Sequence, residues 1–144
     1  AYFAVGLSAF DATVHAMTTV ATGGFSNYDR SFAAFSGAAE YVAVVFMILA
    51  ALPFVRYVQL ISGQKTALLQ DRQIRGFLIG LGLIALTSWI VLTSQTNMLA
   101  TTALRKALFN ITSIISGTGY TSADYMQWGG FMVTLFFLVG LIGG

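Results

Sequence analysis

His15-Ala16-Met17-Thr18-Thr19-Val20-Ala21-Thr22-Gly23-Gly24-Phe25-Ser26 and Asn110-Ile111-Thr112-Ser113-Ile114-Ile115-Ser116-Gly117-Thr118-Gly119-Tyr120-Thr121 are two versions of one pattern, about 95 residues apart. Each reads as a short helix running into a loop of glycine, threonine and one aromatic. Superposed, Gly24 falls on Gly119, Phe25 on Tyr120, Ser26 on Thr121 and, three residues on, Asp29 on Asp124. The glycines matter because successive carbonyls can face one side of a loop only if some residues take backbone angles that a side chain forbids. A helix feeding a Gly-aromatic loop is the layout of a selectivity filter, where backbone carbonyls replace the water shell of an ion. On that reading the ion-binding carbonyls belong to Thr22, Gly23, Gly24 and Phe25 in the first copy, and to Gly117, Thr118, Gly119 and Tyr120 in the second.

Composition places such a pore in a bilayer. The chain is 57% hydrophobic and 8% charged, against roughly 25% charged residues in a soluble domain. A net charge of +2 and a pI near 9.2 do not point to nucleic acid, because the basic residues lie apart rather than in a stripe. They read as orientation signals, and the expected partner is membrane lipid. There is no cysteine, hence no disulfide framework or thiolate metal site, and no signal peptide is visible.

The chain divides into two units of one plan. Residues 1–61 hold a truncated outer helix ending near Phe10, a pore helix from Asp11 to Ala21 with Asp11 as its N-cap, the first loop, and an inner helix from Ala38 to Ile61 kinked by Pro53. Arg56 snorkels to the interface there. Residues 62–75, with Lys65, Arg72 and Arg75, form a polar linker that the positive-inside rule puts in the cytoplasm, leaving the loops facing outside. Residues 76–144 repeat the plan: an outer helix from Gly76 to about Thr93, a pore helix from about Thr101 to Ile115, the second loop, and a truncated inner helix from Gln127. The fold class is an all-α polytopic membrane protein. Both pore helices would point their negative C-terminal ends at the membrane centre, which favours a cation there.

Several residues carry competing readings. A phosphate-binding loop at Gly117 is excluded by the missing Gly-Lys-Ser/Thr ending. His15, opposite Asn110 in the overlay, reads as a hydrogen-bonded pore-helix residue rather than a proton relay. Asp29 and Asp124 are candidate outer-mouth charges that concentrate cations, or solvated loop carboxylates. Glu40 reads as interfacial and Arg105-Lys106 as a headgroup anchor. No paired carboxylates, Ser-His-Asp set or metal-ligand spacing points to catalysis, so no enzyme is expected.

Ala21-Thr22-Gly23-Gly24-Phe25-Ser26 and Ser116-Gly117-Thr118-Gly119-Tyr120-Thr121, each behind its pore helix, resemble the second and third filter repeats of the bacterial TrkH/KtrB potassium-uptake proteins. The resemblance covers essentially the whole chain. It implies a pseudo-fourfold, potassium-channel-like pore of four unequal repeats, of which two lie here, and a Gly-rich gating loop beginning where Val139-Gly140-Leu141-Ile142-Gly143-Gly144 ends. It also implies an inner-membrane location, a homodimer, potassium as the transported ion with no cofactor, and a cytoplasmic ring of nucleotide-binding TrkA or KtrA subunits. Only the central glycine and the aromatic of the channel motif Thr-Val-Gly-Tyr-Gly persist, so selectivity looser than a channel's is expected. A non-conducting membrane scaffold and an ion-coupled symporter are the alternative functions.

Overall fold

A computed structural model describes residues 1–35, 37–64 and 66–143, with the backbone alone at 67 and 69. Lys65 and Gly144 of the expected linker and gating loop lie outside them. Among the described residues there are seven α-helices and no strand: α1 (Ala9–Val20), α2 (Ala38–Ala51), α3 (Phe54–Ile61), α4 (Ala67–Gln70), α5 (Arg72–Gln95), α6 (Ala100–Ile115) and α7 (Gly130–Gly143).

Length separates these helices by role. The 24 residues of α5 rise about 36 Å, enough to cross the roughly 30 Å hydrocarbon core. It is long and apolar enough to cross a membrane. The 12 residues of α1 and 16 of α6 rise only about 18 and 24 Å. Each then hands over to a glycine loop.

Four local expectations are corrected. Residues before Ser8 do not continue a helix into α1: a 3-10 turn at Tyr2–Val5 ends on Gly6 in the left-handed region (φ 98). The N-cap of α1 is Ser8, not Asp11; the Ser8 Oγ accepts from the Asp11 amide at 3.0 Å and donates to the Asp11 carboxylate at 2.7 Å, a reciprocal arrangement like a capping box. Pro53 does more than kink the inner helix. It fixes φ at −59° and puts Leu52 in the extended region, so α2 and α3 meet at 87°. In α3, Phe54, Val55, Val58 and Ile61 are exposed along one face with Arg56 and Gln59 opposite, the pattern of a helix lying along an apolar-water boundary. Arg56 is not left to snorkel, since its guanidinium pairs with Asp71 and donates to Gln59 at 2.8 Å. Asp71 in turn caps α5 through the amides of Gln73 and Ile74.

The interior has two apolar clusters, both touching α6. One joins Tyr2, Leu7, Phe32, Ala43 and Met47 with Phe109 and Tyr120; the other joins Leu81 and Leu92 of α5 with Ile111, Trp128, Met132 and Phe136. Phe109 and Tyr120 of the second unit thus sit among side chains of the first. Residues 27–35, which follow the first loop, also reach this core. Phe32 is fully buried, and the Ala33 amide donates to the Thr121 carbonyl at 3.1 Å, clipping the second glycine loop to the first unit. Trp89 Nε1 donates to the Ala100 carbonyl at 2.9 Å and fixes the corner between α5 and α6.

Candidate functional site

The two glycine loops leave their helices by the same bonds. Ala21, Thr22 and Gly23 amides donate to the carbonyls of Met17, Thr19 and Thr18; Ser116, Gly117 and Thr118 amides donate to those of Thr112, Ile114 and Ser113. Every partner is displaced by the offset that superposes the sequence copies. Backbone handedness repeats as well. Thr22 and Gly24 have φ of 49° and 62°, Gly117 and Gly119 have 71° and 84°, and the residue between each pair does not take a positive φ. An extended strand points successive carbonyls to opposite sides, whereas alternating left- and right-handed residues gather the amides on one side and the carbonyls on the other. At Thr22 this conformation is held by a β-branched residue, for which it is a true outlier.

The loops also lie against each other. A Cβ placed on Gly24 would stand 2.0 Å from the Thr118 carbonyl oxygen and 3.1 Å from the Gly119 carbonyl carbon. Only a glycine fits there. The chain therefore brings together backbone from both candidate ion-binding stretches, which are 95 positions apart in sequence.

Behind the loops, side chains of each pore helix hold the residues that follow the aromatic. His15 sets Nδ1 2.8 Å from the Asp11 carbonyl and Nε2 3.1 Å from Ser26 Oγ. A carbonyl can only accept, so Nδ1 carries a proton, while the Ser26 hydroxyl can serve Nε2 as donor or acceptor. Asn110 does the same work: Nδ2 donates to the Lys106 carbonyl at 2.8 Å and to Ser122 Oγ at 3.1 Å, and Oδ1 accepts from the Ser122 amide at 3.1 Å. His15 is fully buried against Phe35, Phe32 and Tyr120, a tether rather than an open ligand.

The aromatics differ. Tyr120 is 1% exposed, and its hydroxyl bonds Thr18 Oγ1 on the other unit's pore helix, with Thr19 Oγ1 and the His15 carbonyl each at 3.4 Å. Phe25 is 75% exposed, and its carbonyl accepts from Thr18 Oγ1 at 3.0 Å. Thr18 thus touches both loops, a role sequence reading missed. Asp29 and Asp124 line one shallow hollow with Arg30, Ala33, Thr121 and Tyr125. Asp124 also accepts from the Met126 amide at 3.1 Å and from Gln127 Nε2 at 2.8 Å. Among the described residues no cluster of histidine, cysteine and acidic side chains could hold a metal ion.

Glu40 and Arg105-Lys106 are placed differently from expectation. Glu40, fully buried on α2, sets one carboxylate oxygen 2.8 Å from Lys106 Nζ and the other 2.5 Å from Arg105 Nε. The two cations are therefore ion-pair partners inside the protein and not headgroup anchors. Lys106 Nζ also donates to the Ser122 carbonyl at 2.7 Å.

The chain as a whole is similar to known proteins. The model of the TrkH family, described as a cation transport protein, matches residues 4–144. The Trk system potassium uptake protein TrkI of Halomonas elongata is 43% identical over all of this chain and 30% of its own length. TrkH of the same organism is 37% identical with the same coverage. The crystal structure of the potassium transporter TrkH from Vibrio parahaemolyticus superposes with a TM-score of 0.92 and 28% identity over 99% of this chain and 32% of that one. The chain spans about a third of the length of these relatives. With a matched family model over nearly every residue, a shared helical membrane-protein fold and a recurring helix-loop plan, the chain belongs to the TrkH family of cation transport proteins.

Proposed function

We propose that the intact protein carries potassium ions across the membrane, and that residues 22–25 and 117–120 form two walls of the ion path. The observation that carries this reading is the repeated handedness of the loops, positive φ at 22 and 24 and again at 117 and 119, in two segments close enough that Gly24 leaves no room for a methyl group. That arrangement offers carbonyls at fixed positions to a cation and offsets its lost hydration. The relatives named as potassium uptake proteins supply the identity of the ion. Potassium is cargo on this reading, and the path needs neither cofactor nor catalytic residue.

The same proposal divides the chain into repeat units at 1–61 and 76–144 joined by a cytoplasmic linker at 62–75, in a bacterial inner membrane, with Asp29 and Asp124 at the outer mouth. The relatives are named as members of a Trk system, which supports reading this protein as one component among others. A homodimer and a nucleotide-binding ring of the TrkA or KtrA kind, docked on the face that carries the linker, complete the proposal. Rubidium uptake by the full-length protein in proteoliposomes, with sodium as competitor, tests it. Selective uptake that Gly119→Ala weakens without loss of membrane insertion is expected, and unselective or absent uptake by the unaltered protein overturns the reading. Single cysteines at Gln64 and Gln70 are expected to react with an impermeant reagent only from the cytoplasmic side. Labelling from outside would invert the topology.

A further inference from the structure

We propose that Lys106 is a positioning residue for the second loop: held by the buried Glu40, it fastens the chain two residues past Tyr120 through the Ser122 carbonyl. The inference rests on reading the loops as the ion path.

Three charges meet where α2, α6 and the segment after the loop come together. The Glu40 side chain is inaccessible, and those of Lys106 and Arg105 are 15% and 23% exposed. A buried ion pair rarely stabilises a fold more than well-packed apolar side chains would, because desolvation offsets the attraction. Its distinctive effect here is geometric. Lys106 Nζ has two fixed acceptors, Glu40 Oε1 at 2.8 Å and the Ser122 carbonyl at 2.7 Å, one on an inner helix and one on the loop's exit. The ammonium is pinned between them.

The first unit repeats the strut with opposite charge. Lys106 superposes on Asp11, and Ser122 on Asn27. Asp11 accepts from Asn27 Nδ2 at 2.8 Å and from the Tyr28 hydroxyl at 3.2 Å. One pore-helix position therefore grips one post-loop position in both copies, by an acid in one and a base in the other. His15 and Asn110, one helical turn on, hold Ser26 and Ser122 as a second point of attachment. Arg105 Nε lies 2.5 Å from the other Glu40 oxygen as an ion-pair partner, and it sits one residue from the strut position, so it is the natural contrast.

Lys106→Met and Arg105→Met each remove one positive charge beside Glu40, but only the first frees the Ser122 carbonyl. Rubidium uptake with sodium competition is measured on the full-length protein in proteoliposomes, alongside its elution profile in detergent. Lys106→Met is expected to lower rubidium-over-sodium discrimination about tenfold, the worth of one charge-assisted bond, while Arg105→Met stays near the unaltered protein. Unchanged discrimination in Lys106→Met overturns the proposal, as does an equal loss in Arg105→Met, which would make net charge the cause. If Lys106→Met does not assemble, Glu40→Gln/Lys106→Met strands no carboxylate and carries the same expectation. Gly119→Ala distinguishes the strut from the ion path: selectivity lost there but kept in the lysine variants removes the strut alone, and selectivity kept in Gly119→Ala removes the ion path itself.

Discussion

Replacing Gly24 by alanine puts the strongest demand on the site. The new Cβ would lie 2.0 Å from the Thr118 carbonyl oxygen, where contacts below 3.0 Å are essentially never seen. The loops must part by at least about 1 Å, while binding constellations tolerate displacements of about 0.5 Å. The residue also sits at φ 62°, which costs a non-glycine residue roughly 1–2 kcal/mol. Gly119→Ala meets no atom within 4 Å among the described residues and carries the conformational cost alone. Gly82, in the exposed face of α5 with no atom near its Cβ position, is the control, where alanine gains up to about 1 kcal/mol of helix propensity. In the full-length protein, Gly24→Ala is expected to abolish potassium-over-sodium discrimination in a flux assay, with normal abundance in the membrane fraction and Gly82→Ala unaffected. Wild-type discrimination in Gly24→Ala would refute the claim that the loops must touch.

Other consequences follow from single contacts. Tyr120→Phe keeps the buried ring but deletes the bond to Thr18, so it should cost about 1 kcal/mol, read as a lower unfolding temperature in detergent, and soften selectivity. Burial raises the Asp71 carboxyl, but the Gln73 amide, the Arg56 guanidinium and the Ile74 amide outweigh it and hold the group below its ordinary 3.8. Its contribution is therefore complete above that pH and is lost as pH falls through the depressed value; thermal unfolding below about pH 4 should show this loss in the unaltered protein and not in Asp71→Asn. Neutralising Asp29 and Asp124 together should lower potassium conductance more at low than at high ionic strength, since salt screens exposed charges. Equal conductance at low salt would remove them from the mouth.

What the sequence made legible follows from how locally each feature is encoded. The glycine loops could be read because unusual φ leaves a mark in residue type, and α5 because an uncharged run of that length has few other uses. The 87° turn at Pro53 could not, because proline alone does not say whether a helix bends or ends. Ser8 and Asp11 are both good caps, and only coordinates choose. Glu40 and Lys106 are 66 residues apart, and the overlay hid their role because position 106 is basic where position 11 is acidic. Superposition also equated Tyr120 with Phe25, yet Phe32 and Phe109 enclose the first ring while the second is exposed. Equivalence along the chain does not fix what packs around it.

If residues 22–25 and 117–120 line the ion path, their carbonyls face a permeating ion. Anomalous diffraction from crystals of the full-length protein grown with rubidium or thallium tests this most directly. Ion density within coordination distance of carbonyls from both loops, lost in Gly24→Ala, is expected. Ordered ion density elsewhere in the protein, with none between these loops, would contradict it.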